Sequence, residues 1–203
     1  MTQTVQRDVI NVLNQDHHEI EELFVRLEEL AGTRDAPDSA GDRAEARIVA
    51  DQLSTELARH WAAEERHLYP AISKHAPALR PLAEHELTEH GKAERSLKAL
   101  DRLDTDDEEF WIRAEVLIDL VRAHIRVEEA EVFPGLRDAV PKELLVELGG
   151  RVERAQRTAP TRPHPATPDR PPGNTLVDPA AALVDRVRDA ASSRGTLPGP
   201  GRR

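Results

Sequence analysis

Two stretches decide the fold: HWAAEERHLYP, residues 60–70, and HIRVEEAEVFP, residues 124–134. Each opens on a histidine, carries a glutamate four residues on, follows it with a second glutamate, and ends on proline. Four residues turn an α-helix by about 400°, so side chains at i and i+4 leave the same face one turn apart. His60 with Glu64, and His124 with Glu128, therefore point the same way.

That way is inward. A helix face that packs on a core repeats every three or four residues. Around His60 and Glu64 the repeat is Val49, Leu53, Leu57 and Leu68. Around His124 and Glu128 it is Phe110, Ala114, Leu117, Val121 and Val132. Two further stripes have the same character. Ile10, Leu13, His17, Ile20, Phe24 and Leu27 form one; Leu79, Leu82, Glu86, His90, Ala93, Leu97 and Leu100 form the other. Each apolar stripe is interrupted near its middle by histidine, and three of them also by glutamate.

An ionised carboxylate buried without a partner costs several kcal/mol or more. Three of them beside four histidines require compensation, and a pair of cations supplies it. The cations keep the carboxylates charged and the imidazoles neutral. The expected metal ligands are His17, His60, Glu64, His90, His124 and Glu128. Glu86 is a further candidate, one turn before His90. Glu65, Glu129, Glu21 and Glu94 each follow a core position by one residue and turn away by about 100°. His18, His67, His75 and His85 lie off the stripes or near helix ends and read as solvated, as does His164. Tyr69, the one tyrosine, reads as helix-end packing. Imidazole and carboxylate without thiolate suit iron, manganese or zinc. Carboxylates that bridge two ions within a bundle favour iron over zinc or manganese.

The rest of the 203-residue chain agrees with an all-α fold. Charged residues make up 33% and aromatics 3%, a balance that favours helix over sheet. The net charge of −10 repels phosphate backbones and anionic membrane surfaces, so neither nucleic acid nor membrane is an expected partner. There are no cysteines, which excludes disulfides, thiol catalysis and cysteine-ligated clusters. No signal-like or membrane-spanning apolar run is present, and the expected location is cytoplasmic.

The periodicity predicts four helices over about 6–31, 42–69, 78–103 and 107–133, with Pro70 and Pro134-Gly135 as stop signals. Thr105 and Glu108 have capping-box spacing before the fourth. Short links make these an antiparallel up-down four-helix bundle over residues 1–140. A short fifth helix over 141–157 begins at Pro141. Residues 158–203 are expected to be a Pro-rich tail without regular structure, except for an amphipathic helix near 179–193. That segment is a candidate to dock on the body or on a partner protein. DHHEIEELFVRLEEL also echoes TEHGKAERSLKALDRL, as HWAAEERHLYP echoes HIRVEEAEVFP, so the bundle is expected to be two-fold pseudo-symmetric.

The order His17, His60-x-x-x-Glu64, His90, His124-x-x-x-Glu128 resembles the hemerythrin-like (HHE cation-binding) domain. DHHEI, HWAAEERHLYP and HIRVEEAEVFP resemble its helix motifs, and the likeness covers residues 6–137. Hemerythrin proper has His-x-x-x-His where this chain has Glu86-x-x-x-His90. It also has His-x-x-x-x-Asp where this chain has His124-x-x-x-Glu128. The resemblance is therefore to the bacterial HHE branch more than to the oxygen carriers. It implies two iron ions with an oxo or hydroxo bridge. Four histidines, two bridging glutamates, that bridge and Glu86 fill about 11 of 12 octahedral positions. A position is left for O2, NO or peroxide. The expected function is sensing or protection through such a ligand. The alternatives are an enzyme for peroxide decomposition or NO and iron-centre repair, and an iron store or structural bundle.

Overall fold

The structure, a computed structural model, describes residues 7–34 and 40–158. These form seven α-helices: α1 (Val9–Thr33), α2 (Ala40–Ala63), α3 (Tyr69–His75), α4 (Arg80–Leu100), α5 (Glu108–Val127), α6 (Phe133–Ala139) and α7 (Lys142–Thr158). Single π turns join α2 to α3 (Glu64–Leu68) and α5 to α6 (Glu128–Val132). Four long rods result: α1, α2 with α3, α4, and α5 with α6. They pack as the expected up-down bundle, with α1 against α2 and α4 against α5. The Pro-rich tail and the helix expected near 179–193 lie outside the described residues.

Pro70 and Pro134 do not stop their helices. Proline lacks an N–H, and its ring crowds the carbonyl four residues back. In each case the turn before it widens. The N–H of Tyr69 reaches back five residues to the Glu64 carbonyl, and that of Phe133 reaches back to Glu128. The wider coil gives the ring room, and the rods continue to His75 and Ala139.

Two helix N-termini are capped by aspartates. Asp8 accepts from the N–H of Asn11 at 2.8 Å at the start of α1. At the start of α5 the cap is Asp107, which accepts from Glu109 N–H at 2.9 Å. The expected Thr105–Glu108 box is not used; the Thr105 carbonyl accepts from the Trp111 indole instead. Across the bundle, Arg122 reaches both Glu21 and Glu28, tying α5 to α1.

The fifth helix is a full member of the fold. It runs for 17 residues, and Leu145, Leu148, Val152 and Ala155 are buried at helical spacing. They join one of two apolar clusters, together with Val9, Leu13, Leu68, Ile72, Val132 and Leu136. The other cluster fills the far end around Ile20, Phe24, Leu53, Leu97, Phe110 and Val121. The polar core residues lie between the two.

Helix α7 crosses the start of α1 at Gly149. A Cβ there would lie 2.3 Å from the Arg7 carbonyl oxygen and 2.8 Å from the Asp8 carbonyl carbon. Gly149→Ala should therefore destabilise the protein by about 1–3 kcal/mol through overpacking, read as a lower Tm in thermal unfolding. Gly150→Ala is the contrast. Its Cβ would meet only the flexible Arg154 guanidinium at 3.3 Å. That change should hold or raise stability, by up to about 1 kcal/mol, from helix propensity.

Candidate metal centre

Each rod brings its buried polar residues to the same level. His17 comes from α1, His60 and Glu64 from the junction of α2 with its π turn, Glu86 and His90 from α4. His124 and Glu128 come from the junction of α5 with the second π turn. All seven are buried, and Glu64, Glu86 and Glu128 are 0% exposed. Of the remaining histidines, His18, His75 and His85 are exposed as expected, His67 is half-buried instead, and His164 lies outside the described residues.

Six of the seven converge into two groups that share one residue. His17, His60, Glu64 and Glu128 each offer a ligand atom within 4.8 Å of the others, and so do Glu64, His90 and His124. Glu64 spans the groups: Oε1 is 3.2 Å from His60 Nε2, and Oε2 is 3.3 Å from His90 Nε2. Glu128 Oε2 lies between His17 Nε2 at 3.4 Å and His124 Nε2 at 3.6 Å. Both carboxylates thus lie between histidines of the two groups, and Glu64 belongs to both.

Glu86 is not part of either group. Its Oε2 takes the Nδ1 of His124 at 2.6 Å. This belongs to a pattern that the stripes do not reveal. His17 Nδ1 meets Glu129 at 2.9 Å, His90 Nδ1 meets Glu65 at 3.2 Å, and His60 Nδ1 meets Asp16 at 3.4 Å. A carboxylate accepts, so a proton on each Nδ1 satisfies these contacts and leaves the four Nε2 atoms facing inward. Ring orientation and basicity are set this way in metal-binding histidines. Glu65 and Glu129 do turn away from the centre, but toward the back of a histidine on another helix and not toward solvent alone. Their position straight after Glu64 and Glu128 was the available signal.

Tyr69 is also placed differently from the packing role expected of it. Its hydroxyl donates to Glu128 Oε1 at 2.9 Å and lies 3.2 Å from His90 Nε2. The counterpart in the second string is Phe133, which stacks on His17 with ring centroids 5.6 Å apart. Tyr69 and His90 are as close, at 5.5 Å, but tilted by 50°. The pseudo-two-fold relation therefore holds for which rings meet and is broken by their tilt and by the Tyr69 hydroxyl.

The charges show what such a cluster lacks. Burial, then the nearby Glu128, pushes the Glu64 carboxyl well above the usual carboxylate range. Burial acts on Glu128 in the same sense, but His124, His17 and His60 outweigh it and hold that carboxyl below its ordinary value. Burial and the neighbouring His124 push His90 well below the usual imidazole range. Burial also lowers His60, against the pull of Asp16. For His17, burial is outweighed by Glu128 and Glu129, which raise it. Burial, then Glu128 and Glu64, keeps the Tyr69 phenol protonated. His17 Nε2, His60 Nε2, both oxygens of Glu64, Glu86 Oε1 and Glu128 Oε2 have no hydrogen-bond partner. Buried polar atoms are seldom left so. Converging imidazole lone pairs and carboxylate oxygens are the donor set that a pair of divalent or trivalent cations needs, and the residues present fit it.

Comparisons with known proteins agree with this geometry. Residues 8–136 match the sequence model of the hemerythrin HHE cation-binding domain. An uncharacterized hemerythrin-like protein of Schizosaccharomyces pombe is 29% identical over 152 residues, covering 74% of this chain and 75% of that protein. A crystal structure of a hemerythrin HHE cation-binding domain-containing protein from Mycobacterium kansasii has the same fold. Its TM-score is 0.59 at 23% identity, covering 74% of this chain and 88% of that one. Among the described residues no helix is long and apolar enough to cross a membrane. Four rods with histidine and glutamate at their shared level, and a match across most of the bundle, make the chain a member of the hemerythrin HHE cation-binding domain family.

Proposed function

We propose that the chain holds two iron ions and takes up a small ligand, O2, NO or peroxide, for sensing or protection. The supporting observation is the inequality of the two ligand groups. One has four residues and the other three, with Glu64 common to both. Reactive centres keep a position that the protein does not fill, whereas structural sites are closed. His17, His60, Glu64 and Glu128 would hold one ion, and Glu64, His90 and His124 the other. Glu86 would steady His124 through Nδ1. The ions would supply Lewis acidity and redox capacity at the shorter group. The chain's own contribution is to orient four imidazoles, exclude water between two apolar clusters, and keep a phenolic proton in place. Iron accords with bridging carboxylates and the absence of thiolate.

Purified protein loaded with ferrous iron should bind about two ions per chain and develop near-ultraviolet charge-transfer absorption in air. His60→Ala should bind fewer and lose those bands. It should also lose the stabilisation conferred by a bound ligand, roughly 3 kcal/mol at a hundredfold excess over Kd. A closed, spectrally silent site, or one that binds no iron, would sink the proposal.

Loading should also release protons, because ligands bind in their deprotonated forms. The pKa values of Glu64 and His17 are raised in the metal-free fold, so both keep their protons to higher pH than usual. Metal must displace those protons. Affinity should therefore fall as pH falls, with protons released as the metal is loaded. An indicator dye in weakly buffered solution measures this directly.

The Tyr69 hydroxyl favours a second reading, an enzyme that decomposes peroxide. A positioned proton donor within hydrogen-bond reach contributes about 10²–10⁴-fold to such steps. The Tyr69 phenol stands against Glu128 and His90, both in the ligand groups. Tyr69→Phe should retain its iron and lose about 10²-fold in peroxide turnover. Wild-type turnover no faster than free iron would end this reading and leave ligand binding in place.

A further inference from the structure

Helix α7 lies beyond the 8–136 stretch that matches the family. Its last turn nonetheless reaches the metal centre. Gln156 Nε2 donates to Asp16 Oδ2, and the same oxygen faces His60 Nδ1 at 3.4 Å. A chain of contacts thus runs from α7 through α1 to a candidate ligand on α2. The apolar side of α7, with Leu148, Val152 and Ala155 buried, fixes where that last turn falls.

The surroundings make the contact consequential. A solvent-open cavity of about 480 Å³ lies at this place, bordered by Arg7, Asp16, Glu56, Arg59, His60 and Gln156. The Asp16 side chain is 20% exposed, so water competes for its oxygens. Glu86, which holds His124 in the same manner, is 0% exposed and has no such competitor. The Gln156 amide occupies the Asp16 oxygen from the cavity side and opposes its rotation toward water. Glu56 gives the region a further carboxylate, its pKa raised by burial despite the Arg59 charge. A donor that is always neutral, as an amide is, can hold Asp16 without drawing its charge away from His60.

We propose that Gln156 is a positioning residue. Through Asp16 it fixes the His60 ring, so that α7 governs how firmly the ion of the four-residue group is held. This rests on the two-ion reading above. The two ions should then respond differently when Gln156 is lost, a selectivity that a general loss of packing would not produce.

The test is chelator-driven release of ferrous iron from the full chain, followed by a chromogenic ferrous chelator under argon. Wild type, Gln156→Ala and Glu153→Gln are compared. Glu153→Gln removes only the surface pair between Glu153 and Arg7, 3.1 Å apart. In Gln156→Ala one iron should leave about tenfold faster, the scale seen when a partner of a metal-bound histidine is removed. The other iron should keep its wild-type rate, and thermal unfolding of the metal-free protein should be little changed. Glu153→Gln should release both irons as wild type does. Equal acceleration of both irons, or no acceleration of either, overturns the proposal. If wild type binds a single iron, the two-ion reading falls. Gln156 is then still decided by whether that iron leaves faster in the variant. If wild type binds none, both fall.

Discussion

Charge compensation in the middle of the bundle is the constraint on which everything else rests. Along every rod the sequence passes from one apolar cluster, through the polar level, into the other. Leu13 and Ile20 flank His17, Leu57 and Leu68 flank His60 and Glu64, Ala83 and Ala93 flank Glu86 and His90, and Val121 and Val132 flank His124 and Glu128. The two clusters provide hydrophobic stabilisation from both ends of the polar layer. They also exclude the water that would otherwise solvate it. Inside a low-dielectric layer an unpaired carboxylate is expensive, and so is an unpartnered imidazole lone pair. The apolar ends therefore create the demand for cations that the polar middle is built to meet.

The π turns explain how so few residues achieve this. Glu64 and Tyr69 are five apart, as are Glu128 and Phe133. In an α-helix, five residues turn by about 500°, leaving the two side chains roughly 140° apart. In a π turn, residues i and i+5 are the bonded neighbours, so they fall on one side of the coil. The widened turn, accommodating the proline that follows, sets Tyr69 against His90 and Phe133 against His17. One backbone adjustment, used twice, serves both halves of the bundle.

This is also where the sequence could and could not be read. The stripes identified His17, His60, Glu64, His90, His124 and Glu128, because a polar residue at an apolar position is conspicuous at regular helical spacing. Tyr69 escaped because regular spacing gives it the wrong face, and Pro70 looked like the end of the helix. Asp16, Glu65 and Glu129 escaped because they stand one residue off a stripe, where a carboxylate ordinarily meets solvent. Their partners lie on other helices, and the crossing geometry that joins them is a property of packing. The reach of α7 was underestimated for a related reason. The bend that brings Gly149 onto the start of α1 depends on two backbones meeting, which neither segment shows alone.

The pseudo-symmetry is most informative where it fails. On the His17 and His60 side, the ring nitrogens are held by Glu129, whose side chain is 48% exposed, and by the partly exposed Asp16. On the His90 and His124 side they are held by Glu65, 11% exposed, and by the fully buried Glu86. The Tyr69 hydroxyl belongs to the drier side, and the corresponding place on the wetter side is the bare ring of Phe133. The drier side also has the shorter ligand group. Hydrogen bonds and charges act more strongly where water is excluded. A small ligand arriving at the shorter group would therefore meet a fixed phenol and firmly held imidazoles. The wetter group, completed by four residues, would serve chiefly to keep the shared Glu64 carboxylate in place.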